Sequence, residues 1–153
     1  MNPTLTDITS FEVCGLTTRT INRDEFNPKT AKISDLWASF FSSGIADQIT
    51  TRIANTPIFC VYSNYDTDAS GFYDVTAGVC VTHAQENFEP ITVHDGKYLV
   101  FEANGPMPTA VIQAWTDIWA YFEQHPEIKR SFLSDFEAYV APEAVKIYIG
   151  ISS

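Results

Sequence analysis

The chain has 153 residues, 45% hydrophobic and 14% aromatic, with a formal net charge of −10. That length fits one domain over residues 1–153, able to bury about two thirds of its unfolded surface, so global disorder is excluded. The negative field disfavours nucleic acid and anionic membrane and draws cations toward any acidic cleft.

Residues 1–10 hold neither a basic region nor an apolar run and are not read as a signal peptide. No stretch reaches about 18 consecutive apolar residues, so no membrane span is expected. Residues 11–21 are β-branched and Thr-rich and predict a strand; residues 22–32 are polar and predict a loop. Residues 33–43 predict an amphipathic helix whose buried stripe is Ile33, Leu36, Trp37, Phe40 and Phe41, with Gly44 as its breaker. Ile45, Ile49 and Ile53 suggest a short second helical piece. Strands follow at 57–65 and 72–83, separated by a turn-rich loop at 66–71. Residues 84–96 form a connection with an extended piece at 91–93, and residues 97–103 a further strand. Pro108 then opens a helix with the stripe Val111, Ile112, Trp115, Ile118, Trp119 and Phe122, ending before Pro126.

The C-terminal stretch predicts two short strands with a tight connection. In the second, Val145, Ile147, Ile149 and Ile151 alternate with Lys146, Tyr148 and Gly150. In the first, Phe136, Ala138 and Val140 share one face, and Glu137 and Tyr139 the other. Glu137 is an acid in an aromatic strand. On the strand alone the solvated outer face is the favoured reading. Aimed into a pocket instead, the carboxyl would take up a proton or wait for a cation.

The order strand, helix, strand, strand occurs twice, over about 8–83 and 97–152. Leu36-Trp-Ala-Ser-Phe40 lines up with Ile118-Trp-Ala-Tyr-Phe122, Phe59-Cys-Val-Tyr62 with Phe136-Glu-Ala-Tyr139, and residues 75–81 with 145–151. The chain is therefore read as α+β, a duplicated β-α-β-β unit. It makes two antiparallel half-sheets with a helix on one face of each, pseudo-two-fold symmetry and a cleft where the halves meet. In this alignment Glu137 replaces Cys60, which would make an asymmetric site on a symmetric scaffold. The 11 Phe, 7 Tyr and 3 Trp exceed what a plain core requires and suit a lined cavity. For Trp37, Trp115 and Trp119, core packing and cleft lining are equally open.

Several sites are set aside. Residues 66–71 imitate the start of a calcium loop but lack the acidic twelfth position, and are read as a turn whose Asp side chains cap their own backbone. His83, His94 and His125 are too scattered for a metal site or a triad. Cys14, Cys60 and Cys80 are odd in number and widely spaced, and read as reduced core or pocket residues of a cytoplasmic protein. Glu102 is read as solvated, with the cleft rim as its other option. No cofactor is implied.

The ordered set Val61-Tyr-Ser-Asn-Tyr-Asp66, Tyr73-Asp-Val-Thr-Ala-Gly-Val79, Tyr98-Leu-Val-Phe-Glu-Ala-Asn-Gly-Pro106, the Trp115/Trp119 helix, Phe136-Glu-Ala-Tyr139 and Lys146-Ile-Tyr-Ile149 resembles the GyrI-like effector-binding domains of AraC-type and MerR-type regulators. Among these the chain looks most like the free-standing, integron-associated effector-binding proteins of gene cassettes. The resemblance implies a SOUL/GyrI-like fold and a cleft for lipophilic, often cationic, small molecules. It also implies that Glu137 contacts the positive charge and that the domain itself does not bind DNA. Glu137, Tyr139, Tyr148, Tyr62, Trp37, Trp115 and Trp119 are the expected ligand-binding residues, with no catalytic residue. With no helix-turn-helix ahead of the domain, any regulatory role would act through a separate DNA-binding partner; a homodimer is compatible with this reading. The alternative is a small-molecule hydrolase on the same scaffold, with Glu137 as general base and a tyrosine such as Tyr148 orienting water.

Overall fold

Alternating and β-branched runs dominate the chain, and they pair into a single antiparallel sheet. The computed structural model describes residues 2–84 and 87–152; residues 85–86 of the expected connection lie outside the described residues. The elements are β1 (Thr4–Ile8), β2 (Phe11–Ile21), α1 (Asn22–Glu25), α2 (Ile33–Ser42), α3 (Ile45–Gln48), β3 (Ile58–Ser63), β4 (Phe72–Val81), β5 (Ile91–Val93), β6 (Gly96–Asn104), α4 (Thr109–Gln124), β7 (Arg130–Ala141) and β8 (Ala144–Ile151).

The strand order is β1-β6-β8-β7-β3-β4-β2-β5. Read outward from the β3/β7 seam, both halves repeat one pattern, so the duplicated unit and its pseudo-two-fold axis are present. The expected half-sheets are fused at that seam into one sheet. On the seam Cys60 pairs directly with Glu137, flanked by Phe59 with Ala138 and Val61 with Phe136. The two positions that the repeat aligns therefore meet each other across the axis.

Each half also has a strand outside the expected unit. β1 precedes β2 in the chain but pairs with β6, and β5 precedes β6 but pairs with β2. The two halves thus exchange edge strands. β1 escapes a hydrophobicity reading because Thr4, Leu5 and Asp7 are exposed, and it is held by its backbone ladder.

Both sheet faces are covered, which explains the continuous apolar run of β3. One face carries α2 and α4, with Leu36, Phe40, Val75 and Val79 packed under α2 and Phe101, Ile118, Ile147 and Ile149 under α4. The other face curls on itself around Val13, Val61, Val93, Tyr98 and Phe136. The curl brings β2 and β4 unusually close at the paired glycines Gly15 and Gly78. A Cβ on Gly15 would stand 1.9 Å from the Ala77 carbonyl oxygen, and one on Gly78 2.3 Å from that of Cys14.

The start of α2 is capped from a distance. The Glu25 carboxylate accepts the Lys32 N–H at 2.9 Å and the Ile33 N–H at 3.2 Å, taking up two of the helix's orphan donors. This ties the segment after β2 to the cleft side of the helix.

Candidate functional site

Between α2 and α4, over the β3/β7 seam, lies a cleft of about 730 Å³. Its floor is set by strand alternation. On β7 Phe136 and Ala138 point into the curled face, which leaves Glu137 and Tyr139 on the helix side. On β3 Tyr62 comes up beside them. Trp37 of α2 and Trp115 and Trp119 of α4 close the walls.

Glu137 is only 2% exposed, so the solvated reading of the strand is overturned. Among the described residues no cationic side chain is a hydrogen-bond partner of it. Its carboxylate is held by neutral donors instead: the Tyr62 hydroxyl at 2.7 Å and the Trp115 Nε1–H at 2.6 Å on Oε2, and the Tyr139 hydroxyl at 2.6 Å on Oε1. Cys60 lies directly across the seam from it. Burial pushes the Glu137 carboxyl above its ordinary value, and the hydrogen bonds it accepts oppose that rise without cancelling it. Burial, together with the charge of Glu137, pushes the Tyr62, Tyr139 and Cys60 groups well up. All three stay protonated and available as donors.

The aromatic groups form one connected surface. Trp37 stacks on Phe41 at 5.7 Å and meets Tyr139 edge-on at 5.3 Å. Trp115 meets Tyr62 at 5.3 Å and Trp119 at 6.3 Å. Phe26 reaches across from the end of α1 to Trp119 at 6.1 Å. Phe26, Phe41 and Ile112 line the cleft and are 73%, 64% and 62% exposed. Phe41 and Ile112 were expected in buried helical stripes. The stripes are wider than the core beneath them, and the surplus forms the rim.

Of the seven expected residues, the structure brings Glu137, Tyr139, Tyr62, Trp37, Trp115 and Trp119 into the cleft. Tyr148 is a correction. It lies on the curled face, stacked on Phe136 at 4.3 Å, because period-two alternation in β8 sends Ile147 and Ile149 toward α4 and Tyr148 away. Glu102 is also away from the rim; it is exposed and lies 3.7 Å from Lys146.

Sequence reasoning missed a second polar cluster at the cleft. Asp135 is fully buried and accepts from Arg130 Nη2 at 2.7 Å, the Tyr65 hydroxyl at 2.5 Å and the Gly150 N–H at 2.8 Å. An irregularity in β7 at Phe132, whose φ is 55°, turns Arg130 back onto this site, with its guanidinium 4.4 Å from the Phe132 ring centre. Tyr65 and Arg130 line the cleft. Tyr73 and Glu25 also line it; Tyr73 donates to Asn22 Oδ1 at 2.5 Å. Only the charge of Asp135 inside an apolar strand could have flagged this cluster. Among the described residues no three His, Cys, Asp or Glu side chains cluster as a metal site requires. Residues 66–71 do form the expected turn: Asp68 Oδ1 accepts the Ser70 N–H at 2.9 Å.

A family profile described as Cass2, integron-associated effector binding protein, matches residues 4–151. The chain belongs to the integron-associated effector-binding protein family. Its similarity to an integron cassette protein from the mobile metagenome of Vibrio cholerae, VCH_CASS2, is 35% identity over 98% of this chain and 95% of that one, with a TM-score of 0.85. The Bacillus subtilis protein YobU, described as a candidate transcriptional regulator, is 28% identical over 90% of this chain and 89% of its own length. The structure of SAV2435 bound to tetraphenylphosphonium covers 100% of this chain and 95% of that one, at 19% identity and a TM-score of 0.81, and shares the GyrI-like fold. Like the effector-binding family to which it belongs, the chain is a small-molecule-binding protein. No described helix is long and apolar enough to cross a membrane.

Proposed function

We propose that the cleft binds lipophilic cations, with Glu137 as the charge anchor and Tyr62, Tyr139, Trp37, Trp115 and Trp119 as the apolar and cation–π surface. The observation that carries this reading is a buried carboxylate with neutral donors around it and, among the described residues, no cationic hydrogen-bond partner, at the floor of an open aromatic cleft. A lipophilic cation supplies the missing charge without hydration water, and each aromatic face adds about 0.5–2 kcal/mol. The tetraphenylphosphonium bound to SAV2435 is a ligand of this chemistry on the same fold. We read the protein as a non-enzymatic sensor or sequesterer, in which any role in transcription passes through a separate DNA-binding partner. Hydrolysis with Glu137 as general base fits less well. The base would need an open oxygen for water, and both oxygens hold protein donors at 2.6–2.7 Å.

The test is a titration of intrinsic tryptophan fluorescence with methyltriphenylphosphonium and with triphenylphosphine oxide, its neutral counterpart. The cation should quench at far lower concentration. Equal quenching curves would remove Glu137 as an anchor.

A further inference from the structure

The arrangement of hydrogen-bond acceptors narrows the ligand class further. Among the described residues, three side chains that line the cleft carry carboxylate or amide oxygens: Glu137, Glu25 and Asn22. All three are already engaged. Glu137 is 2% exposed and accepts from Tyr62 and Trp115 on Oε2, which fill that oxygen's two lone-pair positions, and from Tyr139 on Oε1. Glu25 accepts the Thr20 hydroxyl at 2.6 Å and the Lys32 N–H at 2.9 Å on Oε2, and the Ile33 N–H at 3.2 Å on Oε1. Asn22 Oδ1 accepts from Tyr73. The cleft tyrosines spend their hydroxyl protons in the same way, Tyr65 on Asp135 and the others on Glu137 and Asn22. Beside these engaged groups the cleft offers the phenol oxygens and the Ser34 and Thr116 hydroxyls, neutral oxygens that are weaker acceptors than a carboxylate.

A cation entering this cleft meets negative charge but little that can accept a hydrogen bond. A quaternary ammonium, a phosphonium or a ring-delocalised cation loses nothing by that. A primary ammonium brings three N–H donors out of water and leaves them poorly satisfied. We propose that the cleft discriminates by hydrogen-bond capacity as well as by charge: it selects cations without N–H donors over primary ammonium ions on the same apolar frame. The selectivity filter is the ring of donors on Glu137, above all Tyr139, the one tyrosine on Oε1. This rests on the cation-binding reading above, and the experiment separates the two.

Calorimetric titrations at neutral pH would compare naphthylmethyl-trimethylammonium, naphthylmethylammonium and the neutral neopentylnaphthalene, in the wild type and in Tyr139→Phe. Phenylalanine keeps the ring and frees a lone pair on Oε1. The intrinsic hydration difference between the ligands cancels when the two proteins are compared. The quaternary-to-primary affinity ratio should fall about tenfold or more in Tyr139→Phe, as the primary ammonium gains a direct bond to the carboxylate. An unchanged ratio, or a wild type that binds the primary ammonium as tightly as the quaternary one while the neutral ligand stays weak, overturns the selectivity proposal alone. A neutral ligand binding as tightly as the quaternary cation overturns the cation reading beneath it. If Tyr139→Phe does not fold, Tyr62→Phe makes the same measurement at Oε2.

Discussion

Replacing Glu137 with glutamine removes the charge at the floor of the cleft and almost nothing else. The geometry fixes how the amide must sit. The Trp115 Nε1–H can only donate, so the amide oxygen takes the place of Oε2, opposite Trp115 and Tyr62. The NH2 then faces the Tyr139 hydroxyl, which can turn to accept. The variant should therefore fold and keep the cleft. A cation packed on the surrounding rings would stand on the order of 5 Å from the carboxylate. With an effective dielectric of about 20 the attraction is about 3 kcal/mol, or about 200-fold in Kd. Calorimetry with methyltriphenylphosphonium should show a loss of that order in Glu137→Gln, and triphenylphosphine oxide should bind both proteins alike. Equal losses for the two ligands would mean that the substitution damaged the shape of the cleft and that charge carries no selectivity.

Three further outcomes follow from the same structure. Asp135→Asn leaves the buried guanidinium of Arg130 without its counter-charge, and denaturant unfolding should show a loss of about 3–5 kcal/mol, whereas a value near zero would mean the pair is solvated. Gly15→Ala drives a Cβ into the Ala77 carbonyl and should lower the melting temperature severely or abolish folding; a near-neutral result would contradict the close β2/β4 approach. In the ligand-free protein, a folded-state carboxyl raised above its ordinary value binds more protons than the unfolded chain between those two values. Stability should therefore fall as pH rises through that window, a slope that Glu137→Gln should flatten and that a thermal-denaturation series will reveal or exclude.

Much of the scaffold was legible because burial follows period. The alternation in β7 and β8 and the stripes of α2 and α4 gave the elements, and the match of residues 59–62 with 136–139 gave the axis on which Cys60 meets Glu137. The same alternation, applied strictly to β8, puts Tyr148 on the face opposite Ile147 and Ile149, away from the cleft. β1 was invisible because an edge strand held by its ladder needs no apolar pattern. The Arg130–Asp135 site was invisible because it depends on a bulge at Phe132 and on Tyr65 from a distant strand end, neither of which leaves a local signal. Glu25 hid in a polar loop because it caps a helix that begins eight residues later.

The central claim is that one buried carboxyl, Glu137, supplies the charge that a cationic ligand neutralises, and proton release on binding tests it most directly. Burial raises the carboxyl in the empty cleft, and a bound permanent cation brings it down again, so between those two values binding expels a proton. Calorimetric titration of methyltriphenylphosphonium in buffers of different ionisation enthalpy, from mildly acidic to neutral pH, should show release of about half a proton at the raised value, growing toward one at pH between the two values and vanishing well above the raised one. Affinity should fall as pH drops through it, and Glu137→Gln should show no release at any pH. Wild-type binding with no proton release and no change of affinity across that range would mean that the carboxyl is already ionised in the empty cleft, and would contradict the account.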